Sequence, residues 1–256
     1  MHKILFIGLA VVGLWTSRAG AADEAAEPDP LQGAPAPLAA AIRKYAEDTQ
    51  RWAFTQHTLV YDKNGKLKEE RRSRFDPSVG PEERWTLLER DGKAPDDSAQ
   101  RKFRRERAKQ RLDRSSLGEL LEVKRAAVVA DEPAAITYEV PLRSEGNWRL
   151  PPDKFTVLIR VARQKETLES VDVKLRAPMR VKLVAKIKRG GALLTFTAVD
   201  DKHAAPLTEI KADGAGSIFF VPVSASYDLT RSDFKRVKPW DERFGVKIGP
   251  LKVLDY

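Results

Sequence analysis

The sequence contains no cysteine. This excludes disulfides, thiolate metal sites, a cysteine nucleophile and a lipid-modified N-terminal cysteine, so any exported form is held by packing alone. Histidine is almost as scarce: besides His2 there are only His57 and His203, on separate segments and with no visible partner for general acid-base work. Asp200-Asp201-Lys202-His203 sets two carboxylates near an imidazole, but zinc and similar ions need three or four protein ligands, and such a run in a loop reads as a turn. No glycine-rich phosphate loop leads from a strand into a helix, and no Gly-x-Ser-x-Gly nucleophile turn occurs. The expectation is a protein that is not an enzyme, with no metal and no cofactor.

Long hydrophobic runs are also missing. The longest, Ile4 to Trp15, falls short of the roughly 20 residues that span a bilayer. Lys3 precedes it and Ala19-Gly20-Ala21 follows, the layout of a cleavable secretory signal over residues 1–21. Residues 22–37, rich in Ala, Pro and acid, read as a flexible leader, and 38–256 as a single domain; 42% hydrophobic content is enough for one core. The net charge is +9, although Asp23, Glu24, Glu27 and Asp29 make the leader acidic. A basic, exported domain meets anions: phospholipid head groups, lipopolysaccharide or an acidic protein, and not nucleic acid.

What is present is mostly strand pattern. Between Phe155 and Val199, apolar and polar residues alternate in four successive runs, and Arg189-Gly190-Gly191-Ala192 reads as a two-residue hairpin turn pairing Ile187 with Leu194 and Ala185 with Phe196. Upstream, Leu38, Ile42 and Tyr45 return at helical spacing between Pro37 and Arg51. Trp52 to Asp62 and Leu67 to Phe75 flank Asn64-Gly65, a strong hairpin signal; the second of these strands is so charged that it belongs near a sheet edge. Glu83 to Arg90 gives another strand, and Ala126 to Val129 with Ala135 to Val140 a further hairpin. Leu207 to Lys211 and Ser217 to Tyr227 read as strands around an Asp213-Gly214-Ala215-Gly216 turn, and Pro239 to Tyr256 as a final strand.

Residues 98–114 stand apart. Arg101, Lys102, Arg104, Arg105, Arg107, Lys109 and Arg111 lie in a helical stretch whose Phe103 and Leu112 fall on opposite sides, so the pattern predicts a helix with no dry face, solvated or projecting. These bases either remain solvated or grip an anion or an acidic partner through guanidinium contacts. The apolar sheet face likewise has two readings, a dry core beneath the helices or the lining of a pocket, with Leu183, Ile187, Leu194, Phe196, Phe219 and Val221 as candidate lining residues.

The order of these elements resembles the periplasmic outer-membrane lipoprotein-sorting proteins, the LolA-like lipoprotein carrier superfamily. The likeness is carried by the strand-turn-strand at Phe54 to Phe75, the Leu88-Glu89-Arg90-Asp91-Gly92-Lys93-Ala94-Pro95 step before a polar helix, the Leu117 to Val123 segment, and Tyr227-Asp228-Leu229-Thr230-Arg231-Ser232-Asp233-Phe234. The resemblance implies an α+β fold: a strongly curved, mostly antiparallel open sheet, an unclosed half-barrel, with helices covering its concave face. It further implies a monomeric periplasmic carrier for a lipid or lipoprotein acyl chain in outer-membrane trafficking. The alternative is an envelope interaction or stress-sensing protein that docks an acidic partner, or an anionic membrane surface, through the arginine-rich segment.

Overall fold

A single row of side chains shows how the molecule is built. In the computed structural model, described here for residues 29–112, 117–144, 151–181, 185–218 and 221–243, one cross-strand ladder runs Tyr138, Ile159, Val171, Leu194, Ile210, Leu229, Thr58, Arg71 and Arg90. Partners directly opposite across a sheet share a face. From Tyr138 to Leu229 that face is buried and apolar; beyond Thr58 it becomes cationic.

Eleven strands supply the sheet: β1 (Trp52–Tyr61), β2 (Leu67–Phe75), β3 (Trp85–Arg90), β4 (Ala127–Asp131), β5 (Ala135–Glu139), β6 (Phe155–Ala162), β7 (Thr167–Leu175), β8 (Met179–Val181), β9 (Ala185–Phe196), β10 (Leu207–Ile218) and β11 (Val221–Arg236). Their order is β3-β2-β1-β11-β10-β9-β7-β6-β5-β4, with β8 beside β9, and every pairing is antiparallel. The terminal strands β3 and β4 do not meet, so the sheet stays open. Register shifts in six of the pairings, including β1 with β11 and β9 with β10, mark bulges that bend and twist the strands into the curved, half-barrel form.

Helix α1 (Ala36–Asp48) covers the apolar half of the concave face. Pro37 suits its first turn, where no intrahelical N–H bond is lost, and Leu38, Ala39, Ala41, Ile42 and Tyr45 form its buried stripe. They join Val157, Val171, Leu194, Phe196 and Leu207 in one core, and the Tyr45 ring meets Phe196 edge-on at 5.2 Å. Each buried Leu or Ile there contributes about 1.5–3 kcal/mol. Helix α2 (Asp97–Leu112) lies against β3; α3 (Leu117–Leu120) and α4 (Trp240–Arg243) are single turns. Among the described residues, no helix is long and apolar enough to cross a membrane.

Several sequence expectations are corrected. Gly190 and Gly191 form no turn: β9 runs straight through them, so Ile187 pairs with Met179 and Gly216, while Leu194 pairs with Val171 and Ile210. Gly214 and Gly216 likewise lie within β10. The glycines serve close backbone approach, since a Cβ on Gly191 would lie 2.7 Å from the Val173 carbonyl oxygen and one on Gly216 would strike that of Lys186. Gly65, at φ 74°, is a turn glycine, and the Asp62 carboxylate accepts the Asn64 and Lys66 N–H groups around it. The end of the leader is packed: Leu31 is buried, Arg143 donates to the Pro30 carbonyl and Arg43 pairs with Asp29 at 3.1 Å. Trp240 begins a helical turn, not a strand, anchored by its N–H on the Pro77 carbonyl and by Arg84 on Asp241 at 2.9 Å. The signal, the leader before Asp29 and residues 244–256 lie outside the described residues.

Candidate ligand-binding site

The cationic end of the concave face is built by period-2 alternation. On β1, Phe54, Gln56, Thr58 and Val60 point inward; opposite them on β2 stand Phe75, Ser73, Arg71 and Glu69, and on β11, Arg231, Leu229 and Tyr227 face Gln56, Thr58 and Val60. Gln56, Thr58 and Ser73 are all fully buried, an unusual polar content for the inside of a sheet. Beyond them, Phe54, Phe75 and Trp85 gather with centroids 4.9–6.0 Å apart.

Helix α2 lies over this patch. It has a dry contact after all: Phe103 is only 3% exposed and meets Trp85 edge-on at 6.3 Å. The expected helix without a buried face fails because the sheet supplies the aromatic partner that the helix sequence lacks. The Gln100 side chain also accepts the Leu87 N–H at 3.0 Å. The basic residues divide accordingly. Arg101, Lys102 and Arg105 face outward, whereas Arg104 and Arg107 turn partly inward. The Arg107 guanidinium carbon sits 4.3 Å from the Trp85 ring centre and 5.2 Å from that of Phe103, and that of Arg71 lies 5.5 Å from the Phe103 ring centre. The side chains of Lys109 and Arg111 lie outside the described residues.

Arg231 stands on the same face and is half-buried. Its guanidinium carbon is 4.3 Å from the Phe54 ring centre, and its Nε, like that of Arg71, is buried without a hydrogen-bond partner. Among the described residues, no carboxylate stands within ion-pair reach of it. Burial pulls its pKa below the ordinary guanidinium value, against the phenols of Tyr45 and Tyr227 beside it. Burial also pushes the Tyr227 phenol up, opposed in turn by Arg107, Arg71, the Thr58 hydroxyl and Arg231. Arg71 and Arg107 thus both reach Phe103 and Arg231 reaches Phe54, so guanidinium groups from a helix and two strands border one linked set of aromatic rings. Glu69 stands 3.5 Å from both Arg71 and Arg90.

The proposed lining residues are placed differently. Leu194 and Phe196 are buried under α1 and form filled core; Ile187 is buried on the far part of β9; Val221, 62% exposed, faces solvent at the start of β11 and shares no surface with them. Leu183 and Phe219 lie outside the described residues. The residues that sequence reasoning missed are Arg71, Arg231, Phe54, Phe75, Trp85 and Tyr227. Their signal was available: Tyr227, Leu229 and Arg231 recur at spacing two, which carries an arginine onto a dry face.

Both histidines have carboxylate partners. His57 Nε2 lies 2.8 Å from Glu70, and His203 Nδ1 lies 2.8 Å from Asp200, which that contact holds below the usual carboxylate range. Among the described residues, no group of three His, Cys, Asp or Glu side chains is placed to hold a metal ion. A groove of about 660 Å³ lies elsewhere, between Asp29–Gly33 and Glu122–Lys124.

No protein-family model matches the chain, and neither does any curated protein. Similar solved structures include a DUF1329 family protein from Desulfovibrio piger, at 9% identity and a TM-score of 0.36, covering 82% of this chain and 94% of that one. MucB in complex with MucA(peri) is similar at 9% identity and a TM-score of 0.22, over 78% of this chain and 99% of that chain. The likeness in both cases is distant.

Proposed function

We propose that this protein is a non-catalytic periplasmic binding protein for a hydrophobic ligand, a lipid or the acyl chain of an acylated protein, in outer-membrane lipid or lipoprotein trafficking. The observation that carries the proposal is the aromatic patch of Phe54, Phe75 and Trp85, roofed by a helix that commits one fully buried side chain, Phe103, among those described. A helix that belongs permanently to a core presents an apolar stripe over several turns, as α1 does. With one anchor, α2 is suited to lift and admit an apolar chain between itself and the sheet. The sequence resemblance to lipoprotein carriers and the signal-like N-terminus support the compartment and the class of ligand.

The test is titration of the mature protein with a fluorescent long-chain fatty acid. Saturable one-to-one binding, weakened about tenfold or more by Trp85→Ala or Phe54→Ala, is the expected result. No binding, or binding insensitive to both changes, overturns the proposal. A second reading is docking of an acidic envelope protein, supported by the outward set Arg101, Lys102 and Arg105. Salt-sensitive capture of such a protein, lost when those three become glutamine, is its signature.

A further inference from the structure

The apolar patch beneath α2 does not explain the charges beside it. A guanidinium remains protonated at any physiological pH, and a buried charge is tolerated when it is paired or hydrogen-bonded. Arg231 has neither form of support at Nε, Arg71 lacks it at Nε as well, and the Ser73 hydroxyl is a third buried polar atom without a partner on the same face. Arg71 also stands directly opposite Arg90 across β2 and β3, a like-charge pairing that costs stability, with the carboxylate of Glu69 between them. Cation-π contacts with Phe54 and Phe103 offset part of that cost but leave the donors unused. The interior thus holds more positive charge than the described chain neutralises there.

We infer that Arg231, Arg71 and Arg107, grouped around the linked rings of Phe54, Trp85 and Phe103, form a binding site for a phosphate-class oxyanion, the head group of the ligand whose apolar part lies on Phe54, Phe75 and Trp85. Guanidinium forks suit tetrahedral oxyanions through paired N–H donors, and the buried Ser73 and Thr58 hydroxyls are neutral donors on the same face. A dianion or a phosphodiester would accept from the Arg231 and Arg71 Nε donors, which have no partner among the described residues. The acyl part of this assignment rests on the function proposed above; the anion site itself rests on the unpartnered donors alone. The outward bases Arg101, Lys102 and Arg105 are not part of it.

Calorimetric titration of the mature protein with three probes tests the site: inorganic phosphate, short-chain phosphatidic acid, and the matching neutral diacylglycerol. The expected result is that phosphatidic acid binds at least tenfold more tightly than diacylglycerol. The preference is lost in Arg231→Gln and in Arg71→Gln and kept in Arg101→Gln. Competition by inorganic phosphate identifies a site open to the free anion; its absence identifies one that reads the head group only on a lipid, and either supports the site. Arg231→Met supplies a check independent of binding. Without ligand this variant melts at higher temperature than the wild type, because a buried donor without a partner is gone, and added phosphatidic acid, which raises the wild-type melting point, no longer raises its own. Equal binding of phosphatidic acid and diacylglycerol overturns the anion site while leaving the hydrophobic cleft intact. Phosphate binding without any contribution from the acyl chains overturns the cleft and leaves the anion site. Equal losses in Arg101→Gln and Arg231→Gln reduce the effect to surface charge and contradict the inference.

Discussion

Tyr227 senses charge from α2 and from two strands of the sheet. It pairs across to Val60 and Ala212, within the apolar face, yet its phenol senses Arg71, Arg107 and Arg231. Tyr45, on α1, is pushed up by the same burial, opposed by Thr49 and by Arg231. Because both folded pKa values lie above the ordinary phenol value near 10, the unfolded chain loses these protons first. Stability is therefore unaffected by these groups below about pH 10 and falls as pH rises past it. Urea unfolding at neutral and strongly alkaline pH, with phenolate absorbance followed in parallel, should show three late-titrating tyrosines, Tyr138 as well as Tyr45 and Tyr227, and a loss of stability before they ionise. Early titration of all five tyrosines would contradict their placement.

Helices α1 and α2 are held by different physics. Helix α1 was legible from the return of Leu38, Ile42 and Tyr45 at helical spacing, and it packs as that spacing predicts. The extent of α2 was legible too, but its packing was not, because a lone Phe103 on a polar helix gives no periodic signal and its partners Trp85 and Arg71 come from two different strands. Phe103→Ala should cost about 3 kcal/mol of local stability, near the low end for buried phenylalanine. Hydrogen exchange should report it as faster opening of amides in 97–112 with α1 unchanged. Global loss of protection would mean that α2 is integral to the core.

The strands carry a similar lesson. Hairpin reasoning found the Asn64-Gly65 turn, where Asp62 and a positive φ act together, and failed at Gly190-Gly191, where glycine serves the approach of a neighbouring backbone. Composition cannot separate these two uses of glycine; only the register of β7, β9 and β10 does. Gly216→Ala should destabilise the protein by several kcal/mol, since its Cβ meets a backbone carbonyl that has no free rotamer to move away. Gly190→Ala, with 3.0 Å to the nearest atom, should cost less. Thermal melts of the two variants decide the order, and equal melting points would argue against the β9–β10 register.

At the scale of the whole molecule, one open antiparallel sheet presents a single concave face divided between two kinds of surface. The half under α1 is filled, so Leu194 and Phe196 are core and not pocket. The half under α2 combines aromatic surface, buried hydroxyls and unpartnered guanidinium donors, which a folded protein without a ligand has little reason to assemble. The sheet was legible in the sequence because alternation reports burial strand by strand. The site was not, because it arises from the cross-strand adjacency of Arg71, Thr58 and Leu229, with Arg231 one pair along, set by register over 170 residues of chain. Native mass spectrometry of the mature protein isolated from an envelope fraction, followed by organic extraction and lipid analysis, tests the central claim most directly. A stoichiometric adduct that is both acylated and phosphate-bearing, and is lost in Arg231→Gln, is the predicted result. A clean apo mass, with no uptake of added phosphatidic acid or fatty acid, would contradict it.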